Sequence, residues 1–260
     1  ISQLVSFLLL LFGTFQKDNL RLSLRQFRPR WADFVEAQFA RFAKEKPELV
    51  LDLAAGTGSM TVELAKRGYD MTAVDNSADM LSIAATRLAE AGQYGVLLLE
   101  QDMTEFELYG TVDAVVCCLD SLNHLTEDGE LEKCFALVHN YLNPDGLFLF
   151  DMNAPHKFRH TYGTNDFILE NDGAVCCWQN QFDPASGLCD FILTIFEKQS
   201  DGRYSRTDTV QTERCYSRSH LTRALKGAGF EMLGIYEDYN FTPATRRADR
   251  WYVAARCRKG

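Results

Sequence analysis

Through residues 31–153, short apolar runs alternate with stretches in which apolar residues recur every three or four places. The recurrence of Trp31, Phe34, Val35, Phe39 and Phe42 predicts a helix over 31–42, ended by Pro47. A buried strand over 49–53 follows, then the small-residue segment Ala54-Ala55-Gly56-Thr57-Gly58 and a helix over 60–67 terminated by Gly68. A second strand over 71–74 ends in Asp75, and a helix over 79–90 shows Met80, Leu81, Ile83, Ala84 and Leu88 on one face. Further strands are expected over 96–99, 112–118 and 147–150, with a helix over 127–142 stopped by Asn143-Pro144-Asp145-Gly146. Apolar strands separated by helices imply a parallel sheet covered on both faces, a doubly wound α/β core.

Beyond Phe167 the helical period disappears. Segments of strand character are separated by Asn171-Asp172-Gly173, Asp183-Pro184-Ala185-Ser186-Gly187 and Ser200-Asp201-Gly202, the turn chemistry of an antiparallel meander. Within it Trp178, Asn180 and Phe182 fall on one face, and Phe191, Leu193 and Ile195 on another. Ser217 then caps a helix reaching Lys226, and two strands are expected over 231–239 and 250–257. The chain therefore divides into an N-terminal segment (1–30), an α/β core (31–153), a β-rich insertion (154–216) and a return to the core sheet (217–260).

Composition changes this picture little. The 260 residues are 46% hydrophobic and 24% charged, as in an ordinary globular protein. A net charge of −9 repels a phosphate backbone, so nucleic-acid binding would require a local basic patch. Arg21, Arg25, Arg28 and Arg30, or Arg246, Arg247 and Arg250, are the groups available for one, and a solvated face is the simpler expectation for both. The eight cysteines have neither zinc-site nor disulfide-framework spacing, which points to no metal and a cytoplasmic location. Leu4 to Phe12 is nearly pure hydrocarbon but far short of the ~20 residues that span a bilayer. A buried or capping helix is expected there, with a targeting segment as the alternative and no membrane span.

The chemistry concentrates at strand ends. Gly56 and Gly58 let backbone N–H groups approach a ligand where a helix begins. Asp75, 19 residues after Gly56, is spaced to place a carboxylate beside that loop, where it suits a ribose diol. A nicotinamide site is disfavoured on three counts. Thr61 stands where its third glycine belongs, Asp52 would repel a pyrophosphate but attract a cationic amino-acid ligand, and Asp102 offers an acceptor for an exocyclic amine.

Asp52 to Gly58, Asp75 and Gln101-Asp102-Met103 together resemble the class I S-adenosylmethionine methyltransferases. The resemblance spans residues 31–260 and implies a seven-stranded Rossmann-like sheet with an antiparallel last strand, the β-rich insertion forming a lid before the sixth strand. It implies S-adenosyl-L-methionine as cofactor. Asp52, Ala54, Gly56, Thr57 and Gly58 would lie on its methionine side, Asp75 at the ribose, Asp102 and Met103 at the adenine, Asn76 and Met80 beside the adenosine, and Leu119 at the donor end.

The stretch from Cys117 to Leu125 is similar to the Ser-x-x-His-Leu segment of small-molecule N-methyltransferases, including glycine and aminosugar types. It makes His124 the candidate general base and Asp120 or Asp151 the candidate holder of an acceptor amine. Asn153 and His156 are weaker candidates on the same edge, and Trp178, Phe182 and Phe191 would wall the acceptor from the lid. Those relatives open with a tyrosine-bearing helix, whereas residues 1–30 here contain no tyrosine. A small-molecule acceptor, methylated possibly at nitrogen by in-line transfer, is the expectation. An RNA or protein methyltransferase, a non-catalytic cofactor-binding regulator and a dehydrogenase are the rivals.

Overall fold

The computed structural model describes residues 24–163, 165–171 and 173–259. The expected helix or targeting segment over 4–12 lies outside them. The described residues begin with α1 (Leu24–Phe42), then β1 (Leu49–Leu53), α2 (Ser59–Lys66), β2 (Asp70–Asp75), α3 (Ala78–Glu90), β3 (Leu97–Glu100) and β4 (Val112–Cys117). A single 3-10 turn (Ser121–His124) leads to α4 (Glu130–Tyr141) and β5 (Leu142–Asn153). After a π turn (Lys157–Tyr162) come β6 (Asp166–Asn171), β7 (Ala174–Asp183), β8 (Leu188–Lys198) and β9 (Tyr204–Arg214), and α5 (Arg218–Gly227), β10 (Phe230–Tyr236) and β11 (Arg250–Cys257) complete the chain.

The core sheet runs β10-β11-β5-β4-β1-β2-β3. Strands β1 to β5 are parallel, and β11 lies antiparallel between β10 and β5. The chain order reverses between β1 and β4, the switch point at which such sheets bind ligands beyond their carboxyl ends. Successive residues of the central strands point into different layers. Leu51, Leu53, Val115, Phe148 and Phe150 pack with α4 and α5, whereas Val50, Ala114, Val116 and Leu149 pack with α1 and α2. Burial on both faces is why these strands read as continuous apolar runs, each large side chain contributing about 1.5–3 kcal/mol.

Two expectations about local structure are corrected. The Asn143-Pro144-Asp145-Gly146 segment does end the helix but belongs to β5, as a bulge: Val112 and Ala114 of β4 pair with Leu142 and Leu147. Asp145 adopts φ 63°, and a Cβ on Gly146 would meet two backbone oxygens below 3.0 Å. The aromatic rows of the insertion share one face, because Trp178 pairs with Leu193 and Asn180 with Phe191 across an antiparallel ladder.

The insertion forms a second sheet in the order β6-β7-β8-β9, antiparallel throughout, with all three turn clusters falling between its strands. Its buried face carries Cys176, Trp178, Cys189, Phe191, Leu193 and Ile195, packed on Phe158 and Tyr162 of the π turn. No helix among the described residues is long and apolar enough to cross a membrane.

Candidate cofactor and acceptor site

The segment after β1 turns sharply: Ala54, Gly56 and Gly58 all have positive φ (59°, 54° and 68°). The two glycines serve different purposes. A Cβ on Gly58 would stand 2.7 Å from the Cβ of Ala84, so this glycine lets the loop press against α3. A Cβ on Gly56 would meet nothing within 4 Å, so that side of the loop faces open space where a ligand can approach the backbone. Close helix packing is thus supplied at Gly58, and the Thr61 side chain serves the neighbouring acid instead. Its hydroxyl donates to Asp52 Oδ2 at 2.5 Å.

Asp75 closes the loop from β2. Its Oδ2 accepts the Gly56 N–H at 2.7 Å and its Oδ1 accepts the Ser77 N–H at 3.0 Å. Both Asp52 and Asp75 are buried, and among the described residues no cation neutralises either. Desolvation raises Asp52 to about 7 against the Thr61 hydrogen bond, with Asp75 adding to the rise. Burial likewise raises Asp75, opposed by its two backbone donors. Two buried acids beside an open glycine backbone suit a ligand with a positive charge and hydroxyl groups, as S-adenosylmethionine has.

Arg87 of α3 was not apparent from the sequence. Its Nη1 donates to the Thr57 carbonyl at 3.1 Å, to Thr57 Oγ1 at 2.5 Å and to Ser59 Oγ at 3.0 Å, tying the loop to the helix. At the other end of the same edge, Asp102 is exposed and its Oδ1 accepts both the backbone N–H and the hydroxyl of Thr104, at 2.7 and 2.6 Å. Met103 is half-buried, Asn76 exposed, and Met80 buried with its N–H on the Ser77 cap.

The loop after β4 carries the acceptor-side candidates. Leu119 and Asp120 are consecutive non-glycine residues with φ 62° and 57°, a conformation costing of order 1–3 kcal/mol per residue. Asp151, fully buried at the end of β5, holds them there: its Oδ1 accepts the Leu119 N–H at 2.6 Å and its Oδ2 the Asp120 N–H at 3.3 Å. Arg250 of β11 donates to both carboxylates, 3.0 Å to Asp120 and closer to Asp151. Asp151, with no exposed side-chain surface, thus spends its carboxylate on Leu119, Asp120 and Arg250 and supports the loop. Arg250 is also no part of a basic outer face. Asp120 is the acid nearer solvent, with 18% of its side chain exposed.

Beneath Asp120 lies a polar network. Asn153 Nδ2 donates to Asp120 at 2.7 Å and to Glu213 of β9 at 2.8 Å, while its Oδ1 accepts from Lys157 Nζ at 2.8 Å. Arg250 and Lys157 draw Asp120 down to about 2 against its burial. Burial raises Glu213 to about 8 and lowers Lys157 to about 8. His156 pairs instead with Asp249 at 2.7 Å, on the outer side of the π turn. Sequence alone does not single out Lys157, four residues beyond Asn153, or Glu213, the one buried residue of the largely polar β9.

His124 ends the 3-10 turn and is solvent-exposed, yet surrounding protein takes enough hydration from its ring to lower its pKa. Asp120 and the Thr212 carbonyl, which accepts from the ring, oppose that shift. The ring stands where the turn after β4 meets β9 of the inserted sheet. Phe191 and Trp178 are core of that sheet, in edge contact at 5.5 Å, and do not line an opening; Phe182, half-buried, packs on Phe158.

A methyltransferase domain family matches residues 50–146. A methyltransferase-family protein of Geobacillus sp. strain WCH70 is 30% identical over 226 residues, covering 87% of this chain and 91% of its own. A glycine/sarcosine N-methyltransferase of Halorhodospira halochloris is 25% identical, covering 74% and 69% respectively. Among solved structures, an S-adenosylmethionine-dependent methyltransferase of Clostridium acetobutylicum superposes with a TM-score of 0.83 at 28% identity, over 89% of this chain and 92% of its own. With the glycine loop, its acidic partners and the antiparallel seventh strand in place, the chain belongs to the class I S-adenosylmethionine-dependent methyltransferases.

Proposed function

We propose that this enzyme methylates a nitrogen of a small-molecule amine. The observation that carries the proposal is an imidazole held below its ordinary pKa beside an ionised carboxylate, His124 next to Asp120. The N-methyltransferase name of the Halorhodospira relative supports the same acceptor class. Bound S-adenosylmethionine supplies an activated methyl group on a sulfonium, and transfer moves the positive charge to the acceptor atom.

In this proposal Asp52, Ala54, Gly56, Thr57 and Gly58 receive the amino-acid end of the cofactor, Asp75 the ribose, and Asn76, Met80, Asp102 and Met103 the adenosine. Leu119 borders the donor end. Asp120 holds the acceptor amine, and His124 removes its proton when it arrives protonated, a role suited to a neutral imidazole near neutrality. Asp151 and Arg250 act through the loop they fix, since alignment is the larger part of such a transfer. Residues 154–216 act as the lid that excludes water, and the eight free thiols suit a reducing cytoplasm.

The test is transfer of labelled methyl to glycine, sarcosine and a set of amino sugars. Turnover with an amine is expected, and His124→Ala should lose about a hundredfold or more while keeping cofactor affinity. Turnover unchanged in His124→Ala removes His124 from the mechanism. Salt-sensitive methylation of RNA or a protein, with no amine accepted, overturns the acceptor class.

A further inference from the structure

Three acids and two cations are buried together at the junction of core and inserted sheet. Asp120, Asp151 and Glu213 face Arg250 and Lys157, and the exposed fractions of their side chains do not exceed 18%. Arg250 joins Asp120 to Asp151, and Asn153 joins Asp120 to Glu213 and Lys157. One negative charge is left without a partner. A surplus charge in a low-dielectric site is costly, and it is met either by a proton or by another cation.

Glu213 is where the surplus resides. Asp120 and Asp151 each bond the Arg250 guanidinium, whereas the hydrogen-bond partner of Glu213 is the neutral amide of Asn153 at 2.8 Å. The charged and titratable groups facing it come from every side: Asp120 from the β4 loop, Lys157 and Tyr162 from the π turn, Arg250 from β11 and Cys189 from β8. Asp249 acts on Lys157 from beyond, and His124 on Asp120. Glu213 is also the one of the three acids that the inserted sheet contributes, so the charge of the acceptor half is set by the lid.

We propose that Glu213 is a specificity-determining residue, its buried charge making the acceptor half of the site select a cation of the alkylammonium class. A proton on Glu213 and an ammonium beside Asp120 are then alternative ways of balancing one network. The elevated affinity of Glu213 for a proton agrees with a site waiting for its cation. The proposal rests on the amine reading of the acceptor and adds the residue that enforces it.

The experiment compares the whole chain with Glu213→Gln, both saturated with S-adenosylhomocysteine, using methylammonium chloride as the probe and sodium chloride at equal ionic strength as the control. In the wild type, methylammonium is expected to bind about tenfold more tightly at about pH 9 than at about pH 6. Glu213→Gln, which keeps an acceptor for Asn153 but has no charge to gain, should bind it weakly and lose most of the pH contrast. An equal pH response in the two proteins, or a wild type that responds to both salts alike, overturns the proposal. Should Glu213→Gln fail to fold, Lys157→Gln decides: a pH contrast that survives it keeps Glu213 as the source, and one lost with Lys157 overturns the proposal. Failure of the whole amine panel as methyl acceptors, with the methylammonium contrast intact, removes the proposed acceptor and leaves the charge selection standing.

Discussion

The carboxylate of Asp75 accepts the backbone N–H of Gly56 at 2.7 Å, across 19 residues of chain and from the neighbouring parallel strand. This bond makes one object of the glycine loop and the acid expected to meet a ribose. The register is what allows it: Leu53 pairs with Val74, so the loop and the acid leave the sheet at the same level.

The two glycines of the loop should fail differently. Gly58→Ala forces a Cβ against Ala84 at 2.7 Å in a left-handed conformation, and a loss of about 1–3 kcal/mol is expected, read as a lower thermal midpoint. Gly56→Ala meets no neighbour, so its stability cost should be limited to the strain of φ 54°, about 1 kcal/mol, while cofactor affinity falls more than in proportion. Equal stability losses without loss of affinity in Gly56→Ala would show that this side of the loop does not face the ligand.

Asp52 gives a pH dependence with a definite sign. Its folded pKa, about 7, lies above the unfolded value of 3.8, so the stability tied to its proton is present at low pH and fades as pH rises between these values. Cofactor binding should run the other way, tightening as pH rises through about 7, because the ionised carboxylate attracts the cationic ligand. Asp52→Asn should flatten both profiles. Calorimetry across this range in two buffers of different ionisation enthalpy would also detect the proton released on binding, and its absence would assign the pH response elsewhere.

Arg250→Met leaves Asp120 and Asp151 buried without their cation, and removing one partner of a buried pair typically costs about 3–5 kcal/mol. The left-handed pair Leu119-Asp120 should relax as the support of Asp151 weakens. Urea unfolding should show the loss. A cost below about 1 kcal/mol would mean that solvent already screens the pair.

Much of this was legible in the sequence. Burial on both sheet faces leaves continuous apolar runs, and helix faces repeat every three or four residues, so the order of elements in the core could be read directly. The turn clusters at Asn171, Asp183 and Ser200 located the ladder of the inserted sheet, because glycine-bearing turns have few other uses. The pairing of its faces was not legible: alternation says which residues share a side of one strand, and only the register between Asn180 and Phe191 says which sides coincide. The acceptor network was hidden for a related reason. Arg250, Lys157 and Glu213 are distant in sequence and look like surface charges until the topology buries them together. Asp151 stands out in sequence by its place at a strand end, but its burial against Leu119 and Arg250 is a tertiary fact.

The most direct test of the cofactor site is calorimetric titration of S-adenosylmethionine and S-adenosylhomocysteine into the wild type and Asp75→Ala. Wild-type binding weakened by about tenfold or more in a folded Asp75→Ala is the expected result, since the acid both anchors Gly56 and meets the ligand. A wild type that binds neither compound, or an Asp75→Ala that binds both as tightly, would contradict the placement of the cofactor on this loop.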